Sequence, residues 1–206
     1  MFALDDAEVR EIIAANRVQA DTTKKARAIA IQTRKQVRRV KCEAVLAGIL
    51  PQHLERDTSY HVMSHGDVDS LSYLRHIVTA QPLEYVSIST WVIARNDIDE
   101  IAGWLDGGRV QRIDFYLGEI FPGQYGDEHA QIKRVMARNQ GRIVIARNHS
   151  KVMLAMNAAE DYYAAIESSA NVNTNPRIEQ TSIHRSEDLF HFYKDFFDGL
   201  RTIDRH

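Results

Sequence analysis

The chain has 206 residues, 44% of them hydrophobic and 26% charged, with a formal net charge of −2, which makes room for one ordinary domain plus a modest appendage and supplies enough apolar material for a real core. That balance excludes disorder along the whole chain, and four Pro and ten Gly exclude collagen-like and proline-rich low-complexity architectures. The single Cys42 excludes an internal disulfide, a zinc ribbon and a dithiol redox motif, which fits a reducing compartment. The opening MFALDDAEVREII carries acids where a signal peptide needs a basic flank, and no run of about eighteen apolar residues follows anywhere. A cytoplasmic protein without a membrane segment is expected.

Residues 1–48 read as a helical arm. Asp5 and Asp6 can cap a first helix through Ala15, with Val9, Ile12 and Ile13 on one face. Residues 24–41 then hold eight cations and no acid: Lys24, Lys25, Arg27, Arg34, Lys35, Arg38, Arg39 and Lys41. Ile29, Val37, Val40 and Ala44 recur among them at helical spacing, so an amphipathic helix with a basic face is expected. Such a face either contacts the phosphate backbone of nucleic acid or is a solvated surface balancing acids elsewhere.

Residues 49–206 read as an α/β domain. TSYHVMSHG alternates and ends at Gly66, and a helix with Asp69 as N-cap follows over residues 69–80. YVSISTWVIA is a buried strand, NDIDEIAGWLDGG a helix closing on two glycines, and VQRIDFYLGEIF a second strand. Another crossover helix spans about 127–139, GRIVIARNHSKVMLAM is one long strand or a strand pair, and YYAAIESSANV is a further strand. The final SEDLFHFYKDFFDGL is an amphipathic helix with Leu189, Phe192, Phe196 and Leu200 inward. Strands separated by helices predict a mixed, largely parallel sheet flanked by helices.

Chemistry concentrates between Ile143 and Glu179. His149 and Lys151 stand two apart at the end of an apolar strand, where strand geometry points both to one face. Ser169 and Asn171 repeat that spacing beyond the YYAAI strand, and Glu179 follows a turn-forming NTNPR. The set suits a phosphodiester: a Lys ammonium, an Asn amide and a Ser hydroxyl can bind phosphate oxygens, and a His can attack phosphorus while a carboxylate fixes its tautomer. No acidic cluster accompanies it, so the chemistry calls for no metal, and no Gly-rich phosphate loop points to a nucleotide cofactor. Arg147 and Arg177 lie close to the set in sequence and suit backbone contacts. His61, His65, Asp67 and Asp69 have the composition of a metal site, but Gly66 and the alternating segment before it favour helix capping by the acids instead.

The pattern His149-x-Lys151, then SSAN at 168–171 and Glu179 downstream, resembles the phospholipase D superfamily, whose HKD signature pairs HxK with an Asp and is followed by a Gly-Ser-x-Asn element. The sequence departs from it at Met156, where the Asp should fall, and at Ser168, where the Gly should; Glu179 is placed as in members that use a downstream Glu. The resemblance implies a phospholipase D-like α/β fold and a metal-independent phosphodiesterase, a nuclease acting on DNA or RNA through a phosphohistidine. With one signature copy, it implies a site shared across a homodimer. The catalytic set would be His149, Lys151, Ser169, Asn171 and Glu179. The alternative is a catalytically inactive nucleic-acid-binding or regulatory module of the same fold, and lipid hydrolysis is a weaker third reading.

Overall fold

The computed structural model describes residues 33–174 and 176–203, with side chains from 37 onward. The expected helix over residues 5–15, the cations Lys24, Lys25 and Arg27, and the side chains of Arg34 and Lys35 lie outside the described residues. Residues from Val37 onward form one compact unit.

Helix α1 (Thr33–Ile49) leads into β1 (Ser59–Ser64), α2 (Ser70–Ala80), β2 (Leu83–Thr90), α3 (Arg95–Asp106) and β3 (Val110–Gly118). A short α4 (Phe121–Gln124) and α5 (Gly126–Met136) precede β4 (Ile143–Ala146), β5 (Val152–Asn157), β6 (Tyr162–Ser168), β7 (Glu179–His184) and α6 (Glu187–Gly199). The strands form one seven-stranded sheet in the order β1-β7-β6-β5-β2-β3-β4. The sheet is mixed. Its parallel part is confined to β2–β3 and β3–β4, the two pairs joined by helical crossovers, and the remaining neighbours are antiparallel. No helix among the described residues is long and apolar enough to cross a membrane.

Two apolar layers sandwich the sheet. On one face Leu46, Leu71, Leu74, Ile77, Ile98, Ile101 and Ile132 of α1, α2, α3 and α5 pack on Val86, Ile88, Met153 and Ala155. On the other, Phe190 and Phe197 of α6 pack on Tyr85, Tyr116, Val152 and Leu154. The apolar run VMLAM of β5 feeds both layers in alternation, as a central strand must. Beyond α6 the chain returns to the β4 edge, where Ile203 N–H donates to the Ile145 carbonyl at 2.9 Å.

Two sequence expectations change here, and one choice is settled. Of the long strand or strand pair expected over 141–156, the pair is present, β4 and β5 with Arg147–Lys151 as the connection. In α6 the fully buried residues are Phe190 and Phe197, and Leu189 and Leu200 pack beside them as expected, whereas Phe192 and Phe196 are 65% and 63% exposed. The two stripes share one helical period and differ by one residue, about 100°; the fit of Phe190 against Tyr85 and Tyr163 decides between them. In α1 the buried residues are Cys42 and Leu46, with Leu50 just past its end, while Val37 and Val40 face solvent.

Ion pairs explain the roll of α1. Arg38 forks onto the Asp69 carboxylate at 2.7–3.0 Å and donates to Gly66 O at 2.8 Å. Arg39 reaches Glu100 at 2.5 Å, and the Cys42 thiol donates to Asp67 O at 3.2 Å. Asp69 is therefore the N-cap of α2 by position, yet its carboxylate binds α1 and makes no cap bond. Glu100 also closes on Arg75, both side chains nearly buried.

Asp97 lies beside this cluster. Burial, Glu100 and Asp69 push its carboxyl up to about 7 against the opposing pull of Arg39 and Arg75. The folded state thus holds a proton that the unfolded chain releases near pH 4. The associated stability is complete below pH 4 and is lost as pH rises through about 7. Asp97→Asn mimics the protonated form and is expected to stabilise the protein by about 3 kcal/mol at pH 8, with no gain at pH 4. Urea unfolding at both values checks this, and an equal change at the two would reject the linkage.

Candidate active site

One end of the sheet collects the polar residues singled out in the sequence. The register aligns the ends of β2, β3, β4, β6 and β1 with the starts of β5 and β7: Ser89 pairs with Val152, Val152 with Glu167, and Ser64 with Glu179. Ligand crevices of open α/β sheets form at such carboxyl ends.

His149 and Lys151 are not strand residues; they occupy the β4–β5 connection, so the two-residue alternation of a strand is not what pairs them. The loop does so directly. Lys151 Nζ lies 2.9 Å from His149 Nδ1 and donates to the His149 carbonyl at 2.7 Å. The Lys151 carbonyl accepts from Ser168 N–H at 2.9 Å, which extends the β5–β6 ladder to the site.

Ser169, Asn171 and Glu179 come from the far side of the same opening. Ser169 Oγ donates to Glu179 Oε2 and accepts from Gln180 N–H at 3.0 Å, clasping the end of β6 to the start of β7. Asn171 Oδ1 accepts from Trp91 N–H at 3.2 Å and from Thr90 Oγ1 at 3.4 Å. Glu179 also faces Lys151. Burial pulls the Lys151 ammonium below its ordinary value, and Glu179 partly restores it. Glu179→Gln removes that support and is expected to move the Lys151 midpoint further down, as read by NMR titration of its Cε; an unmoved midpoint would separate the two groups.

The two departures from the signature have structural explanations. Met156 sits at the far end of β5, between Tyr85 and Tyr163 and packed against the α6 layer. Five extended residues, about 16 Å, separate it from Lys151, so a carboxylate there could not reach His149. Ser168 Oγ lies 2.9 Å from Thr181 Oγ1 and accepts from Ala170 N–H at 3.1 Å, which shapes the turn that carries Ser169.

Several residues that the sequence did not mark complete the site. Asn148 is buried between the strand ends. Its Nδ2 donates to Ser89 Oγ at 2.9 Å and to Tyr116 O at 2.8 Å, while its Oδ1 accepts from Ser150 N–H at 3.0 Å and Ser150 Oγ at 2.6 Å. These bonds tie the His149 loop to β2 and β3. Trp91 stands against His149, ring centroids 5.0 Å apart in an edge-on arrangement. Gly118 makes the room: a Cβ there would lie 2.8 Å from Trp91 Cε3 and 3.2 Å from Asn148 O. The only local signal for Asn148 was its place next to His149, and Trp91 had none.

Arg147 and Arg177 are exposed near the opening, and Lys41 is exposed on α1. Arg38 and Arg39 are committed to Asp69 and Glu100. The His61–Asp69 segment is spent on structure: His61 Nδ1 lies 2.9 Å from Ser182 Oγ, and Asp67 Oδ1 accepts from His65 N–H at 3.0 Å. Among the described residues, no three His, Cys, Asp or Glu side chains converge on a point suited to a metal ion.

This architecture is the phospholipase D-like α/β fold. Among solved structures, the chain is similar to polyphosphate kinase from Porphyromonas gingivalis, with a TM-score of 0.53 and 16% identity over 72% of this chain and 27% of that one. It is also similar to phosphatidylserine synthase from Haemophilus influenzae Rd KW20, with a TM-score of 0.51 and 12% identity over 96% of this chain and 46% of that one. The chain therefore spans about a quarter of the first protein's length and under half of the second's, and at these identities the likeness is one of fold. No family model and no curated protein sequence matches the chain.

Proposed function

We propose that the protein is a metal-independent phosphodiesterase, a nuclease, working as a homodimer in the cytoplasm. The observation that supports this best is the pairing of Lys151 with His149 at the sheet end where Ser169, bonded to Glu179, and Asn171 also stand. In this reading an imidazole nitrogen of His149 attacks phosphorus, a phosphohistidine N–P bond forms, and the P–O bond to the leaving group breaks. His149 of a second copy donates a proton to the departing oxygen, then takes one from the water that cleaves the N–P bond. Lys151 and the Asn171 amide NH2 hold the non-bridging oxygens, Ser169 assists, and Glu179 supplies the orienting carboxylate through Ser169 and Lys151.

The polyanion is held by Lys24, Lys25, Arg27, Arg34, Lys35 and Lys41, together with Arg147 and Arg177, so binding weakens with salt. Cleavage of labelled single- and double-stranded DNA and RNA in EDTA tests the activity, and sedimentation equilibrium tests the dimer. Cleavage that persists in EDTA from a dimeric species is the expected result; a strictly monomeric active protein would overturn the two-histidine scheme. The second reading, a binding module of the same fold without turnover, is favoured by the exposed cations Lys41, Arg147 and Arg177, which serve binding without chemistry. Salt-sensitive binding with no cleavage under any metal condition would select it.

A further inference from the structure

Trp91 is held more firmly than a half-exposed aromatic on a connection needs to be. Its backbone N–H donates to Asn171 Oδ1, Thr90 Oγ1 beside it donates to Val92 O at 2.8 Å and accepts from Val172 N–H at 3.2 Å, and Ala94 N–H donates to Val172 O at 3.0 Å. Ile93 and Val172 form a parallel bridge. The segment is thus stitched to the loop that carries Asn171, and the indole lies over Gly118, where any Cβ would collide with it. Trp91 stays partly exposed, with the His149 ring centroid 5.0 Å away in an edge-on arrangement.

A rigid, partly exposed indole beside a phosphate-binding group is suited to a ligand with a flat, polarisable group close to its phosphate. Single-stranded nucleic acid has this form, because an unpaired base can leave the stack and lie on an aromatic face, contributing about five- to a hundredfold in affinity. In a duplex the bases are paired and turned away from the backbone. The exposed Arg147 and Arg177 suit the continuing chain of phosphates. Resting on the phosphodiesterase reading above, we infer that Trp91 is the stacking platform for an unpaired base next to the scissile phosphate, and that the substrate class is single-stranded nucleic acid.

The test uses fluorescence of Trp91 in the full chain carrying Trp104→Phe, which leaves one indole, read by stopped flow before turnover intrudes. The probes are a 12-mer oligothymidylate, a 12-mer oligouridylate, an abasic deoxyribose-phosphate 12-mer, a 12-base-pair DNA duplex and phosphatidylglycerol vesicles. The expected result is quenching by the thymidylate, the uridylate or both, with binding at least about fivefold tighter than to the abasic 12-mer; the two arms tell DNA from RNA. Trp91→Ala should bind base-bearing and abasic strands alike, and Trp91→Phe should recover part of the difference. Equal affinity of the parent protein for abasic and base-bearing strands, or quenching by duplex or vesicles in preference, would overturn the inference. The cleavage assay separates the two failures: base-dependent quenching without hydrolysis removes only the phosphodiesterase reading, and hydrolysis without base dependence removes only the role of Trp91.

Discussion

His149→Ala is expected to lower EDTA-resistant hydrolysis by about 10⁴-fold or more, because it removes the attacking nitrogen and, in a symmetric dimer, the proton donor as well. Folding should be nearly untouched. His149 is exposed, and its ring contacts Trp91 and Lys151, so truncation leaves no buried polar group without water. Surface truncations of this kind change stability by about 0.5 kcal/mol or less. Nucleic-acid binding should persist, since the cations and Trp91 remain. Quenching of the wild-type protein and labelled substrate in alkaline denaturant should trap an acid-labile, alkali-stable phosphoprotein that the variant lacks. Hydrolysis surviving in His149→Ala would end the mechanism, whatever the substrate.

Asn148→Ala should have the second largest effect, through position rather than chemistry. The side chain uses both of its amide protons and accepts two bonds, and it does so largely buried between β2, β3 and the loop. Removing it strips partners from Ser89, Ser150 and the Tyr116 carbonyl together, at a cost of about 2–4 kcal/mol. The freed loop lets His149 and Lys151 drift from the opening, and misplacement of about 1 Å costs about 10²-fold in rate. A positioning role predicts that kcat falls more than KM and that the rate loss persists at low temperature, where the variant is fully folded. Urea unfolding gives the stability change, and steady-state kinetics on a cleavable strand gives the split. A variant destabilised by this amount with normal kcat when folded would assign Asn148 to stability alone.

The basic residues of α1 serve packing as well as charge. A face of eight cations reads in sequence as one surface. Arg38 and Arg39 are instead the anchors of α1, because Asp69 and Glu100 from α2 and α3 come to meet them. A basic run does not say which of its members face an acid from elsewhere; only the packing of α1 does.

The local grammar, and the closeness of candidate residues that share one connection, were legible in the sequence alone. The order of helices and strands follows from the periodicities of 3.6 and 2, which neighbouring residues impose on one another. The β4–β5 connection holds His149 and Lys151 together within three residues, and the clasp of β6 onto its neighbour β7 holds Ser169 near Glu179. Tertiary structure decided the rest. Which stripe of α6 turned inward depended on Tyr85 and Tyr163, and the antiparallel insertion of β5 beside β2 made the sheet mixed. The same insertion brought Ser89 to Asn148, 59 residues away in the chain, and the site opposite β2 brought Asn171 to Trp91 across 80. Contacts between residues so distant depend on strand order and register, which are properties of the assembled sheet and are written in no local pattern.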